Sequence, residues 1–274
     1  MRDQGMGTEL NENADQVAAA FVSARHEARV LEAYPGTAPQ GLDDAYEIQD
    51  RAITIDGRQI VGWKVGRINS PLDASLGANR LAGPIFADSV VDADAADIPA
   101  MPVYAGGFAA GEAEFLVHVA PGFKGPVPTD DAGTIAIVDD VRIGIEIASS
   151  PYPGINADGP TVTVSDFGNN TGLVRGAALP NWQSTDLCAI RVRSEIDGVE
   201  VGSATAAAML DGPYGAVRFL LGNLLARGCD VSQGLWVSTG AVTGVHEIAV
   251  GQEFRAIFEG HGELTCTIVA AGPR

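Results

Sequence analysis

Residues 110–119, AGEAEFLVHV, place Glu112 and Glu114 two apart at the head of a strand-like run. On a strand, positions i and i+2 project from one face, so the two carboxylates repel unless solvent or a cation lies between them. For this pair alone a solvated strand end is the ordinary reading. A third acid, Glu146, stands between Ile145 and Ile147 in VRIGIEIASS (141–150). A glutamate inside such an apolar run is costly to bury without a partner, and Arg142 is the ordinary candidate. Three converging carboxylates without His or Cys suit a hard divalent cation. Mg2+ is preferred, with Mn2+ as the alternative, and positions remain open for water and substrate. Zinc would ask for nitrogen or sulfur.

A cation of another kind lies in VGWKVG (61–66), where Lys64 sits between Trp63 and Val65. Charged side chains are rarely buried unless paired. The chain holds two lysines, Lys64 and Lys124, against fifteen arginines. Arginine carries the ordinary surface charge here, so Lys64 reads as chosen for something arginine does not do. A desolvated lysine can lower its pKa and shuttle a proton, or clamp an anion as a point charge. The plain alternative is a strand-end lysine with its amine turned out to a nearby acid.

These side chains need a scaffold, and the composition supplies one. The 274 residues are 46% hydrophobic and 19% charged, enough for a substantial core. The net charge of −18 argues against nucleic acid and anionic membranes as partners. It also means that a small anionic substrate would need local cations. No apolar run approaches the roughly 20 residues that span a bilayer. MRDQGMGTELNENADQ lacks a hydrophobic signal core. Cys188, Cys229 and Cys266 are far apart and odd in number, with no CxxC spacing. A soluble, cytoplasmic protein is expected.

Residues 13–33 read as an amphipathic helix with Val17, Ala20, Phe21, Ala24 and Ala28 on one stripe, ended by Pro35 and Gly36. Residues 41–55 read as a second, capped by Asp43 or Asp44. From RQIVGWKVG onward the pattern is short strands between Gly/Pro turns. AIRVRSEIDGVEVG (189–202) is a hairpin about Asp197-Gly198. GPYGAVRFLLGNLLARG (212–228) is one clear helix, with Pro213 near its start and Gly228 past its end. The order predicts an α+β fold rather than alternating β and α units. There is no GxGxxG, GxxxxGK[ST], HExxH or GxSxG motif.

Seven segments in order carry a resemblance: AYEIQ (45–49), GWKVG (62–66), LGANRLAGPIF (76–86), GEAEF (111–115), IGIEIASS (143–150), SDFGNNTGLVRG (165–176) and VSTGAVTGV (237–245). Together they resemble the 2-keto-4-pentenoate hydratase branch of the fumarylacetoacetate hydrolase superfamily, over roughly residues 14–270. The resemblance implies a rolled mixed β-sheet, a distorted barrel, flanked by helices. It implies one domain over 1–274, with 1–58 a helical cap segment and 59–274 a β-roll core. The family's metal ligands fall on Glu112, Glu114 and Glu146, its active-site lysine on Lys64. Arg80, Asn170 and Thr239 are the candidates for substrate binding. Asn169-Asn170 can equally be turn residues, Thr239 a strand end, and Arg80 a surface ion pair.

The implied activity is that of a metal-dependent lyase, a hydratase of a short 2-hydroxy-2,4-dienoate or 2-keto acid acting through a metal-chelated enolate. The same scaffold implies alternatives: C–C hydrolysis of acylpyruvate-type diketo acids, decarboxylation of a 2-keto acid, or keto-acid binding without turnover. The expected partners are a small anionic 2-keto or 2-hydroxy-dienoic acid and further copies of the chain in a homo-oligomer. Two departures stand out. The family's K-[IV]-G-x-T-S reads KVGRINS, with Arg67 and Asn69. LGANRLAG has no acid where many hydratases carry an aspartate, and Arg80 occupies that segment. His26 and Glu27 resemble an acid–base pair of some superfamily hydrolases, but adjacent helical residues point apart, so both are read as surface residues.

Overall fold

A computed structural model of the chain describes residues 3–93 and 97–274, with side chains from residue 11 onward. Two helices lead: α1 (Asp3–His26) and α2 (Leu42–Asp56). The first ends seven residues before the periodicity suggested. Ala28 turns to φ 50° and the chain departs to let Leu31 N–H bond the Pro151 carbonyl. Tertiary contact overrides the local pattern. On α2 the cap position is Gly41, with no side-chain cap. Asp43 and Asp44 sit instead in the first turn, where carboxylates favour the helix dipole.

Next come β1 (Ile60–Arg67), the short α3 (Leu72–Leu76), β2 (Arg80–Phe86), β3 (Val90–Asp92), β4 (Ala100–Val103) and β5 (Phe108–Val119). Then follow α4 (Asp131–Ile135), β6 (Val138–Ser150), α5 (Pro160–Ser165) and β7 (Asn170–Ala178). The chain closes with β8 (Arg191–Ile196), β9 (Val199–Thr205), α6 (Gly212–Ala226), β10 (Leu235–Ser238), β11 (His246–Glu247), β12 (Glu253–Phe258) and β13 (Gly262–Ala270). The hairpin turns at Asp197 and Gly198, both at positive φ (52° and 76°), as its sequence requires.

The larger sheet has the order β2-β1-β10-β5-β6-β7-β3, with β11 added beside β5; the smaller has the order β4-β13-β12-β8-β9. Both mix parallel and antiparallel pairs, β1–β10 and β3–β7 being parallel in the first. Curled sheets with flanking helices make this the α+β, rolled mixed-sheet architecture. The alternation of β5 and β6 explains the layering. Ala113, Phe115, Val117, Ile143, Ile145 and Ile147 face the core shared with the smaller sheet, where Phe115 meets Phe258 edge-on at 5.2 Å. Each such side chain contributes about 1.5–3 kcal/mol through burial. The opposite parity carries Glu112, Glu114 and Glu146.

On the far side, α1 and α2 pack with α5 around Val17, Phe21, Ile48, Ala52 and Val162. The AYEIQ segment ties helix to sheet. Tyr46 Oη accepts from Ala82 N–H at 3.0 Å, and Gln49 Nε2 donates to the Ala82 and Val164 carbonyls at 3.0 and 2.9 Å. No helix among the described residues is long and apolar enough to cross a membrane.

Candidate metal and substrate site

Antiparallel pairing of β5 and β6 sets Glu112 directly opposite Glu146, and Glu114 opposite Gly144. All three acids then share one sheet face, and their carboxylate oxygens lie within 4.8 Å of one another. All three are buried. Each has a different second contact. Glu114 Oε2 accepts from Ser238 Oγ at 2.6 Å and from Gly240 N–H at 2.9 Å. Glu146 Oε1 accepts from Asn170 Nδ2 at 3.0 Å and faces Lys64 Nζ at 3.1 Å. Glu112 lines a cleft of about 680 Å³.

Two oxygens have no such partner. Glu114 Oε1 and Glu146 Oε2 are buried and unbonded. Buried carboxylate oxygens left without a donor are expensive. A divalent ion bonded to them would remove that cost, and an all-oxygen set suits Mg2+ or Mn2+. The residues therefore fit the group that the sequence suggested. The protons tell the same story. Burial, reinforced by the charge of Glu146, pushes the Glu112 carboxyl up to about 7 against the pull of Lys64. Burial, then Glu146 and Glu112, holds Glu114 well above the carboxylate range. Without a metal, protons do part of its work.

Lys64 arrives from β1, whose neighbours are β10 on one side and β2 on the other, with Ser238 and Gly83 as its register partners. Its side chain is buried, so the turned-out amine does not occur. Nor does the lowered pKa expected for a desolvated lysine. Burial opposes the charge, but Glu146, Glu112 and Glu114 together outweigh it and push the pKa up. Facing these carboxylates, Lys64 is held as an ammonium, suited to hold an anion rather than to take or give a proton. Arg142, the ordinary partner for Glu146, pairs with Asp140 instead.

The segment 166–170 crosses over this lysine. Phe167, Gly168 and Asn169 all take positive φ (55°, 61° and 58°), a left-handed turn. It lies so close to β2 that a Cβ on Gly83 would stand 2.0 Å from the Phe167 carbonyl oxygen. Gly83 is required by that approach. The turn sends Asn169 Oδ1 to Lys64 Nζ at 3.3 Å, while Asn169 Nδ2 donates to Asn156 Oδ1 at 3.0 Å.

Of the substrate-binding candidates, Arg80 and Thr239 line the cleft and Asn170 does not. Asn170 is committed to Glu146; its neighbour Asn169 lines the cleft in its place. The Thr239 hydroxyl donates to the Phe115 carbonyl at 2.9 Å. Arg80 pairs with Asp211, which also takes Arg218. Arg67, across the β1–β2 ladder from Arg80, lines the cleft too and makes no ion pair among the described residues. Arg67 was visible in KVGRINS only as a departure. His26 and Glu27 lie outside the cleft, paired with Asp56 and Arg29.

No family model matches the chain. Individual relatives do. The chain is 27% identical over 263 residues to a 4-oxalocrotonate decarboxylase of Pseudomonas putida, covering 93% of this chain and 95% of the relative. It is 26% identical over 256 residues to a 2-hydroxyhexa-2,4-dienoate hydratase of Comamonas testosteroni, covering 91% and 92%. These likenesses run over nearly the whole chain and agree with the resemblance carried by the seven sequence segments. The chain's fold agrees with that of the 4-oxalocrotonate decarboxylase from Pseudomonas putida G7 complexed with magnesium and adipate. The TM-score is 0.77 at 22% identity, over 94% of this chain and 98% of the other. Within this fold, the acidic trio occupies paired central strands and the lysine stands two strands away, beyond β10.

Proposed function

We propose that the chain is a divalent-metal-dependent lyase acting on a short 2-keto acid or its 2-hydroxy-2,4-dienoate enol. The observation that carries this is the buried trio Glu112, Glu114 and Glu146 with two unbonded oxygens beside the Lys64 ammonium. Bound there, Mg2+ supplies Lewis-acid polarisation of a chelating 2-keto acid. The chain does the rest. Glu114 is aimed by Ser238 and Gly240, and Glu146 by Asn170. Lys64 presents fixed positive charge to the anion that develops, in a buried setting where such charge acts strongly. Ile68, Leu72, Leu81, Met209 and Val242 give the cleft an apolar wall that limits water.

A dicarboxylate substrate, and with it decarboxylation rather than hydration, is favoured by two features of the cleft. Arg67 and Arg80 lie side by side along it, as a distal carboxylate would require. Glu112 is the sole carboxylate among its described lining residues, so no acid outside the metal set remains to activate water. Loss of CO2 asks for no such base. The homologous decarboxylase and hydratase support both reactions for the scaffold. A cytoplasmic homo-oligomer fits this reading.

The test is incubation of metal-stripped protein with and without Mg2+ on a panel of 2-keto mono- and dicarboxylic acids and dienols. CO2 release or water addition that requires Mg2+ is expected. Turnover in the absence of metal, or acylpyruvate cleavage alone, would overturn the reading.

A further inference from the structure

Among its described side chains, the α1 helix contributes one buried polar residue, Arg25. Arg25 is 2% exposed and lies outside the cleft, touching none of the three glutamates. Its guanidinium instead grips both ends of the left-handed turn. Nε and Nη2 bond Asp166 Oδ1 and Oδ2 at 2.5 and 3.0 Å, and Nη2 also reaches the Asp166 carbonyl at 3.2 Å. At the other end Nη1 donates to the Asn170 carbonyl at 3.0 Å. Nη2 further touches the Ser149 carbonyl on β6 at 3.2 Å, and Ser150 Oγ donates to Asp166 Oδ2 at 2.6 Å. The rings of Phe167 and Tyr104 flank the cation at 5.1 and 5.4 Å.

Between these grips, Phe167 and Asn169 hold a backbone conformation that costs non-glycine residues free energy and persists only where surroundings over-determine it. Burial of apolar side chains alone would serve stability as well as a buried ion pair does. A planar fork that binds a carboxylate and two carbonyls specifies one geometry, which an apolar contact would not. That geometry decides where two side chains point: Asn169 at Lys64 and Asn170 at Glu146.

We propose that Arg25 is a positioning residue for the metal and lysine site, acting through Asp166 to fix the 166–170 turn. The proposal rests on the metal-site reading above, and its test separates the two.

Three readouts are taken on Arg25→Met, Arg25→Lys and Ser150→Ala: Mg2+ affinity by calorimetry on metal-stripped protein, kcat and KM, and amide hydrogen exchange. Ser150→Ala removes one bond to Asp166 and leaves the ion pair, so it keeps the fold if Arg25→Met does not. Expected for folded Arg25→Met is a roughly tenfold or greater loss in Mg2+ affinity and kcat with KM within about twofold, the scale seen when groups that orient metal ligands are removed. Ser150→Ala is expected to move the same way by a smaller factor. Exchange is expected to rise at 167–170 and not across β5 and β6. Added guanidinium is expected to restore part of the Arg25→Met activity, which a general loss of folding would not allow. Wild-type Mg2+ affinity, kcat and exchange in folded Arg25→Met, or in Arg25→Lys, which keeps the charge and loses the planar fork, would overturn the role of Arg25. Failure of wild-type protein to bind Mg2+ would overturn the metal-site reading instead, while the exchange readout would still decide whether Arg25 fixes the turn.

Discussion

Lys64 Nζ and a divalent ion would compete for the same carboxylate: the ammonium stands 3.1 Å from Glu146 Oε1, while Glu146 Oε2 is buried and unbonded. One glutamate would thus face two cations, the lysine and an exchangeable metal ion. Replacing Lys64 by Met should separate their roles. Turnover should fall by about a hundredfold or more, the usual worth of one preorganised charge aimed at a developing anion. Mg2+ affinity, measured by calorimetry, should rise, because a repelling charge has been removed. A fall in affinity would make Lys64 a structural counter-ion only. The reciprocal Glu146→Gln should lose Mg2+ binding and about 3–5 kcal/mol of stability, since it strands a buried ammonium. Combining the two substitutions should return most of the stability and none of the metal binding.

The pH dependence of the metal-free protein follows from Glu112 and Glu114, both raised by burial, with Glu112 setting the window. Burial lifts its carboxyl from 4.5 to about 7. A raised acid is protonated more readily folded than unfolded. Its contribution is therefore intact below about pH 4.5 and lost as pH rises through about 7. The loss is on the order of 3 kcal/mol, at roughly 1.4 per unit. Thermal unfolding in chelator should show a melting temperature that falls across this window. Glu112→Gln should lessen the fall, leaving the part that Glu114 contributes, and excess Mg2+ should reverse it if the ion binds the ionised trio. A melting temperature independent of pH between 5 and 8 in chelator would contradict this placement of Glu112.

Much of the site was legible because strand periodicity is local. Glu112, Glu114 and Glu146 declare themselves by parity within apolar runs, and Lys64 by its rarity. The Asp197-Gly198 hairpin was equally plain, since a two-residue turn needs only its own residues. What stayed hidden was non-local. The parallel pairing of β1 with β10, separated by more than half the chain, brings Lys64 next to Ser238 and has no mark in either segment. Arg25 lies four residues after Phe21, but the apolar stripe legible in the sequence runs through Ala24 and Ala28 and passes it over. Only Asp166, far along the chain, makes that position tolerable for a cation. That Asn169 rather than Asn170 lines the cleft was hidden for a similar reason. Which of two adjacent amides faces Lys64 depends on a left-handed turn that the tertiary structure imposes.

That turn gives a sharp packing prediction. Gly83→Ala would put its Cβ 2.0 Å from the Phe167 carbonyl oxygen and 2.8 Å from Gly168 N. Both neighbours are backbone and cannot swing aside. The turn must move away from β2, drawing Asn169 off Lys64. Overpacking of this kind costs about 1–3 kcal/mol. Activity should suffer more than stability: kcat should drop at least tenfold while the melting temperature falls by only a few degrees. Gly41→Ala, where nothing lies within 4 Å of the added Cβ, is the control and should leave both near wild type.

Arg67 decides between substrate classes. It lines the cleft, opposes Arg80 across the β1–β2 ladder, and has no carboxylate partner among the described residues, whereas Arg80 is already held by Asp211. A substrate with a second carboxylate would meet Arg67 as its free cation. Arg67→Met should then raise KM for a 2-keto dicarboxylate by about tenfold, the equivalent of roughly 1.4 kcal/mol for one charge-assisted contact. The kcat should change little, because the contact is made equally before and during the reaction. For the monocarboxylate of equal chain length, KM should not move. Equal effects on both acids would assign Arg67 to general attraction of anions toward a chain of net charge −18, and hydration of a monocarboxylic dienol would become the favoured reaction.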